Sequence, residues 1–136
     1  MKIYTSNYWK YTGSRGVQIS CSKPDTARVY RNLPALYPDW SDVKAWNLVK
    51  NLPDNSIEKH ECWKSYVKHY WSKLTRIGPE TIISYLCDGD VLLCWCSVGK
   101  PCHRLILAEW LKRHGVECEE WRAGYVNEGS EMRVLH

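Results

Sequence analysis

A chain of 136 residues with a formal net charge of +4 is short enough for one domain and long enough to bury a core without metal or disulfide staples. Apolar residues make up 44% and charged residues 25%, the composition of an ordinary globular protein and not of a disordered one. The mild excess of basic residues does not by itself argue for nucleic acid, and no apolar run approaches the ~18 residues a membrane span needs.

The opening, MKIYTSNYW, turns polar too early for a signal peptide, so the expected setting is soluble and cytoplasmic. Residues 2–5 predict a short strand and 16–21 a second, in which Val17 and Ile19 alternate with Gln18 and Ser20. The polar and aromatic stretch between them reads as a loop punctuated by Gly13. Residues 23–54 carry Pro24, Pro34, Pro38 and Pro53, which marks an insertion of loops within the domain. One helix fits inside it, over 41–52, with Ser41 as N-cap and Val43, Trp46, Leu48 and Val49 roughly on one face. The longest periodic segment, 56–77, sets Trp63, Tyr66, Val67, Tyr70, Trp71 and Leu74 at amphipathic-helix spacing. Lys59, Lys64, Lys68 and Lys73 mostly mark its other side, which is better read as a solvated face than as a phosphate-binding stripe. Gly78-Pro79 breaks this helix, and a shorter one runs from Pro79 to about Cys87.

Asp88-Gly89-Asp90 is a turn, and the apolar run 91–96, VLLCWC, predicts a strand buried on both faces. A tight loop over 97–101 leads to a helix over 102–114, with Pro101 at its start, Leu105, Ala108 and Leu111 inward, and Gly115 as its stop. A last strand is expected over 116–121, followed by a polar segment, 122–136, that reads as a loose tail or an edge hairpin. Strands alternating with helices favour a single-domain, Rossmann-like α/β layered fold with a short, mostly parallel sheet flanked by helices. In such sheets ligands bind outside the carboxyl ends of the strands. That edge should gather Tyr4, Thr5, Ser6, Ser20, Cys21 and Ser22 with Cys94, Trp95, Cys96, Cys102, His103 and Arg104.

Seven cysteines, an odd number without a secretion signal, do not suggest a disulfide framework; in a reducing compartment their clustering points to metal or chemistry. Eight Trp and nine Tyr with no Phe put polar-tipped aromatics either along a wet pocket or in the core in place of Phe. Three meanings compete for Cys94, Cys96, Cys102 and His103. As metal ligands, for zinc or an iron–sulfur site, they have suitable chemistry, but the Cys-x-Cys spacing is short and adjacent Cys102 and His103 diverge on a helix. As a reactive thiol, Cys102 at a helix N-terminus gains from the dipole and from the charge of Arg104, with His103 as proton partner. As an anion site, the same helix end with Arg104 and Lys100 suits a phosphate or carboxylate.

The segment LLCWCSVGKPCHRLILAEWL resembles the signature of an uncharacterised bacterial and phage family, domain of unknown function 488: Leu-Leu-Cys-x-Glu, a short loop, then Cys-His-Arg and a helix ending in Ala-Glu-x-Leu. MKIYTSNYW and VQISCSKP resemble that family's opening strand and its Ile-Ser-x-Ser element. Arg31-Asn32-Leu33-Pro34 with Leu36-Tyr37-Pro38 resembles its Leu-x-Pro stretch. Residue by residue, Cys94 matches the first family cysteine, and Cys102, His103 and Arg104 match the triplet. Position 96 departs, because many relatives are acidic there and this chain has Cys96, which is no simple replacement for a carboxylate acid or base. The resemblance implies a compact Rossmann-like fold and supplies no reaction.

The leading expectation is a small cysteine-dependent enzyme, or a domain derived from one, that takes a nucleotide-like or other anionic small molecule. Cys102 would be its thiol, His103 the proton partner and Arg104 the anion anchor, with Tyr4, Thr5, Ser6, Ser20, Ser22 and Lys100 lining the site. The alternatives are a binding module that sequesters a nucleotide or nucleic acid without turnover, and a domain stabilised by zinc or an iron–sulfur group at Cys94, Cys96, Cys102 and His103.

Overall fold

Three of five short strands, at the middle of the sheet, are almost wholly buried. In the computed structural model, which describes residues 1–96 and 100–123 together with the backbone of 125–128 and 131–134, the five are β1 (Lys2–Asn7), β2 (Gly16–Gln18), β3 (Arg31–Asn32), β4 (Val91–Cys94) and β5 (Glu117–Glu120). They form one all-parallel sheet in the order β3-β2-β4-β1-β5. Strand β4 is central and wholly buried, and Leu92 stands in register with Thr5 on one side and Val17 on the other.

Four helices join the sheet among the described residues: α1 (Trp40–Val49), α2 (Ile57–Ile77), α3 (Pro79–Tyr85) and α4 (His103–Arg113). The fold is a single-domain α/β layer, as the alternating pattern predicts. All four helices feed one core: Trp46 of α1, Tyr66, Tyr70 and Leu74 of α2, Ile82 of α3, and Leu107, Trp110 and Leu111 of α4 pack with Ile3, Val17 and Leu92 of the sheet. Side chains alternate across a strand, so Tyr4, Val91 and Leu93 face the other way. They pack there with Tyr8, Tyr11 and Trp121, and with Ala27 and Val29, all from loops and not from helices.

The long helix forms where its period predicts. Ser56 caps it by accepting from the Lys59 N–H, with Glu58 in the first turn, Arg76 in the last, and Gly78 ending it at φ +98°. Helix α4 starts one residue later than expected, with Cys102 as an extended N-cap residue. It stops at Gly115, whose φ of +83° suits glycine. Helix α1 starts at Trp40, so Asp39 is the capping position instead of Ser41. Leu48, expected inward, is exposed.

Strand β3 lies in the stretch read as proline-broken loop. Its pairing with β2 is held by Asp90, a fully buried carboxylate at the start of β4 that takes Arg31, Arg15, the Tyr30 hydroxyl and the Cys87 N–H. Strand β2 is shorter than expected because the chain turns at Ser20, whose hydroxyl donates to the Ser22 carbonyl while Gln18 Nε2 donates to the Ser20 carbonyl. Beyond β5, strands β6 (Tyr125–Glu128) and β7 (Glu131–Val134) pair antiparallel with each other as a separate two-stranded sheet. The expected tight loop over 97–101 lies largely outside the described residues, as does His136.

Candidate functional site

Strands β2 and β4 are neighbours, but the chain leaves them in opposite directions. After β2 it runs outward to β3, and after β4 it passes through α4 to β5 at the far edge. A crevice therefore opens at their carboxyl ends, the place where parallel α/β sheets bind ligands. A cavity of about 350 Å³ occupies it, within the range of small-molecule sites. Ser20, Cys21 and Ser22 enter from the end of β2, and Cys94, Trp95 and Cys96 from the end of β4. His103 of α4, Trp40, Trp46, Asn47 and Lys50 from α1 and the residue after it, and Tyr66 of α2 complete the principal lining. None of the described lining residues is an Asp or Glu.

The sulfurs of Cys94, Cys96 and Cys102 all lie within 4.8 Å of one another. Alternation along a strand would send Cys94 and Trp95 to opposite faces and return Cys96 to the first. Strand β4 ends at Cys94, and the Trp95 indole turns out to donate to the Ser22 carbonyl at 2.9 Å, so Cys96 comes back beside Cys94. Cys102 arrives from the start of α4, its sulfur 2.7 Å from that of Cys94. Cys94 and Cys102 are buried, and Cys96 is half-buried against the cavity.

Arg104 is fully buried behind the cluster. Its Nη1 donates to Cys94 Sγ at 2.9 Å and to the Cys96 carbonyl at 2.7 Å, and its Nε donates to Glu120 Oε1 at 2.9 Å. The same carboxylate oxygen accepts from Thr5 Oγ1. His103 Nε2 lies 2.7 Å from the Ile19 carbonyl, so that nitrogen carries the proton, and Nδ1 faces Cys102 Sγ at 3.7 Å with its lone pair. Burial holds the imidazole down to about 4, so it is neutral at pH 7. Burial pushes the Cys94 thiol up to about 11 and that of Cys102 well above its ordinary value. Hydrogen bonds from Cys102 and Cys94 hold the thiol of the half-exposed Cys96 below its ordinary value.

Several expected residues take other places. Ser20, Ser22 and His103 line the cavity, whereas Tyr4, Thr5 and Ser6 do not: Tyr4 packs in the second core, Thr5 serves Glu120, and Ser6 is fully buried in β1 beside β4. Arg104 is engaged with protein partners and does not reach the cavity, and Cys102 is the deep sulfur while Cys96 is the accessible one. Lys100 is exposed and lies outside the cavity lining. Sequence reasoning missed Trp40, Trp46, Asn47, Lys50 and Tyr66 as lining residues, and Glu120 as the partner of Arg104. The surplus of Trp and Tyr over Phe was the available signal for the aromatic walls. No family model matches this chain, and neither a curated protein nor a solved structure matches it.

Proposed function

We propose that this protein binds a nucleotide-like, anionic small molecule in the crevice between β2 and β4 and sets it against the thiol cluster at the cavity floor. The lining carries this reading. Trp40 and Trp95, both exposed, offer rings on which a planar ligand stacks, and Trp46 and Tyr66, packed on Trp63, wall the cavity behind them. Asn47, Ser20 and Ser22 offer donors and acceptors for ring edges or a sugar. Lys50 is the lining cation, and the absence of carboxylates among the described lining residues leaves an anion unopposed. Cys96 is the sulfur that meets the ligand.

The same reading takes the chain as a relative of domain of unknown function 488, on Cys94 and the Cys102-His103-Arg104 triplet, which supply two of the three clustered sulfurs and their neighbours. All seven cysteines are free, in keeping with a reducing, cytoplasmic setting.

Calorimetric titration with nucleoside mono- and diphosphates tests the proposal. At least one should bind with a dissociation constant on the order of 10 μM, and Lys50→Glu should weaken it by about tenfold or more through reversal of a charge at the phosphate. No binding by any member of the panel at millimolar concentration would reject the reading.

A further inference from the structure

We propose that Cys94, Cys96 and Cys102 are three thiolate ligands of a single zinc ion whose fourth coordination position opens on the cavity. The metal site stands on its own geometry; it rests on the ligand reading above only for what fills the fourth position.

Three features of the cluster carry it. First, the sulfurs converge from a strand end, the turn after it and a helix start, all within 4.8 Å. A tetrahedral zinc with bonds of about 2.3 Å sets its sulfurs about 3.8 Å apart, so the set has the size of one ion. Cys94 and Cys102 sulfurs, 2.7 Å apart, open by about 1 Å to take those bonds.

Second, the surroundings suit a metal thiolate. Arg104, which does not line the cavity, donates to Cys94 Sγ and is itself oriented by Glu120, the outer support that metal ligands require. Three thiolates and a divalent cation leave one net negative charge, and the Arg104 guanidinium, which it shares with Glu120, meets that charge at hydrogen-bond distance. Without the metal, two buried thiols face each other with only weak S–H donors between them.

Third, among the described residues no further side chain joins the three sulfurs as a fourth ligand. His103 is outside the set of mutually close ligand atoms, its Nδ1 turned to Cys102 and its Nε2 fixed on Ile19. Cys21, the other thiol of the cavity, directs its sulfur to the Pro38 carbonyl at 3.5 Å. The open position is therefore on the side where Cys94 and Cys96 line the cavity. Catalytic zinc sites keep three protein ligands and one such opening, whereas structural sites close all four. Binding releases the thiol protons of the cluster to solvent and involves no redox change.

The test is cobalt substitution of the whole chain, purified under reducing conditions without chelator. About one equivalent of zinc should accompany the wild-type protein, and replacement by Co²⁺ should give thiolate-to-cobalt charge-transfer absorption with the intense visible bands of a four-coordinate ion. Cys96→Ser, at the half-exposed ligand, should weaken cobalt binding by about tenfold or more and reduce the charge-transfer intensity. Cys87→Ser, at an exposed thiol away from the cluster, should change neither. Zinc below about a tenth of an equivalent, with no cobalt–thiolate absorption after anaerobic reconstitution, would overturn the proposal. So would a Cys94–Cys102 disulfide, seen by mass in the reduced preparation, in place of metal. A nucleotide that alters the visible cobalt bands confirms the opening toward the cavity. Nucleotide binding that persists in protein unable to take cobalt removes the metal site and leaves the ligand reading intact. Cobalt binding without any nucleotide response does the reverse.

Discussion

Arg104 and His103 stand next to each other at the start of α4 and do different work. Arg104 keeps its charge in a buried place because Glu120, Cys94 and the Cys96 carbonyl satisfy its fork. Lysine has the charge but cannot make those divergent bonds. Arg104→Lys should lower stability by about 2–4 kcal/mol in urea unfolding, since it strands Glu120 and part of the cluster. Loss of less than half a kcal/mol would show that the fork is incidental. His103 is held neutral by burial at about 4, below its ordinary 6.5. A depressed histidine contributes stability that is complete above the unfolded value and is lost as pH falls toward the folded one. The protein should therefore lose about 2 kcal/mol between pH 7 and pH 5, and His103→Gln should flatten that slope. Equal pH slopes for the two proteins in denaturant titrations would contradict this assignment. The Cys-His-Arg cluster was legible because its members adjoin in sequence. The ranking of its sulfurs was not, because burial is decided by how α4 packs on β4. Glu120 was not either, because it joins Arg104 only after β5 is placed beside β1.

The elements divide in the same way. Helices α2 and α4 could be read from period and caps, since local spacing alone decides which face is apolar. Strand β4 could be read from its unbroken apolar run. Strand β3 could not, because Arg31–Asn32 has no strand signature and owes its place to Asp90, distant in sequence. Asp90 is fully buried while its arginine partners are partly solvated. Asp90→Asn should therefore cost about 2 kcal/mol and raise hydrogen exchange selectively at Leu33 and Tyr30, whose N–H groups bond to β2. Uniform exchange across the sheet would show that β3 is held by its backbone pairing alone. The tail's hairpin was foreseen as one of two possibilities, but β6 and β7 pair with each other and add no strand to the main sheet.

At the scale of the whole molecule, the strand order β3-β2-β4-β1-β5 is what creates the site. Inserting β4 between β1 and β2 sends neighbouring connections apart and opens the crevice above the central strand. The α/β class followed from alternation of strands and helices, and of the residues expected together at the carboxyl edge, Ser20, Cys21, Ser22, Cys94, Trp95, Cys96 and His103 share the cavity while Tyr4, Thr5, Ser6 and Arg104 do not. Which residues line the cavity did not follow, because α1 comes from the proline-rich insertion and is brought over the crevice by its packing on α2. One measurement addresses the central claim directly: mass spectrometry of small molecules released on denaturing the freshly purified protein, compared with a Val43→Trp variant that fills the cavity. An anionic, ring-bearing molecule of nucleotide-like class should be enriched about tenfold or more in the wild type over the filled variant. A profile identical in the two proteins, or enrichment only of uncharged aliphatic molecules, would contradict the account.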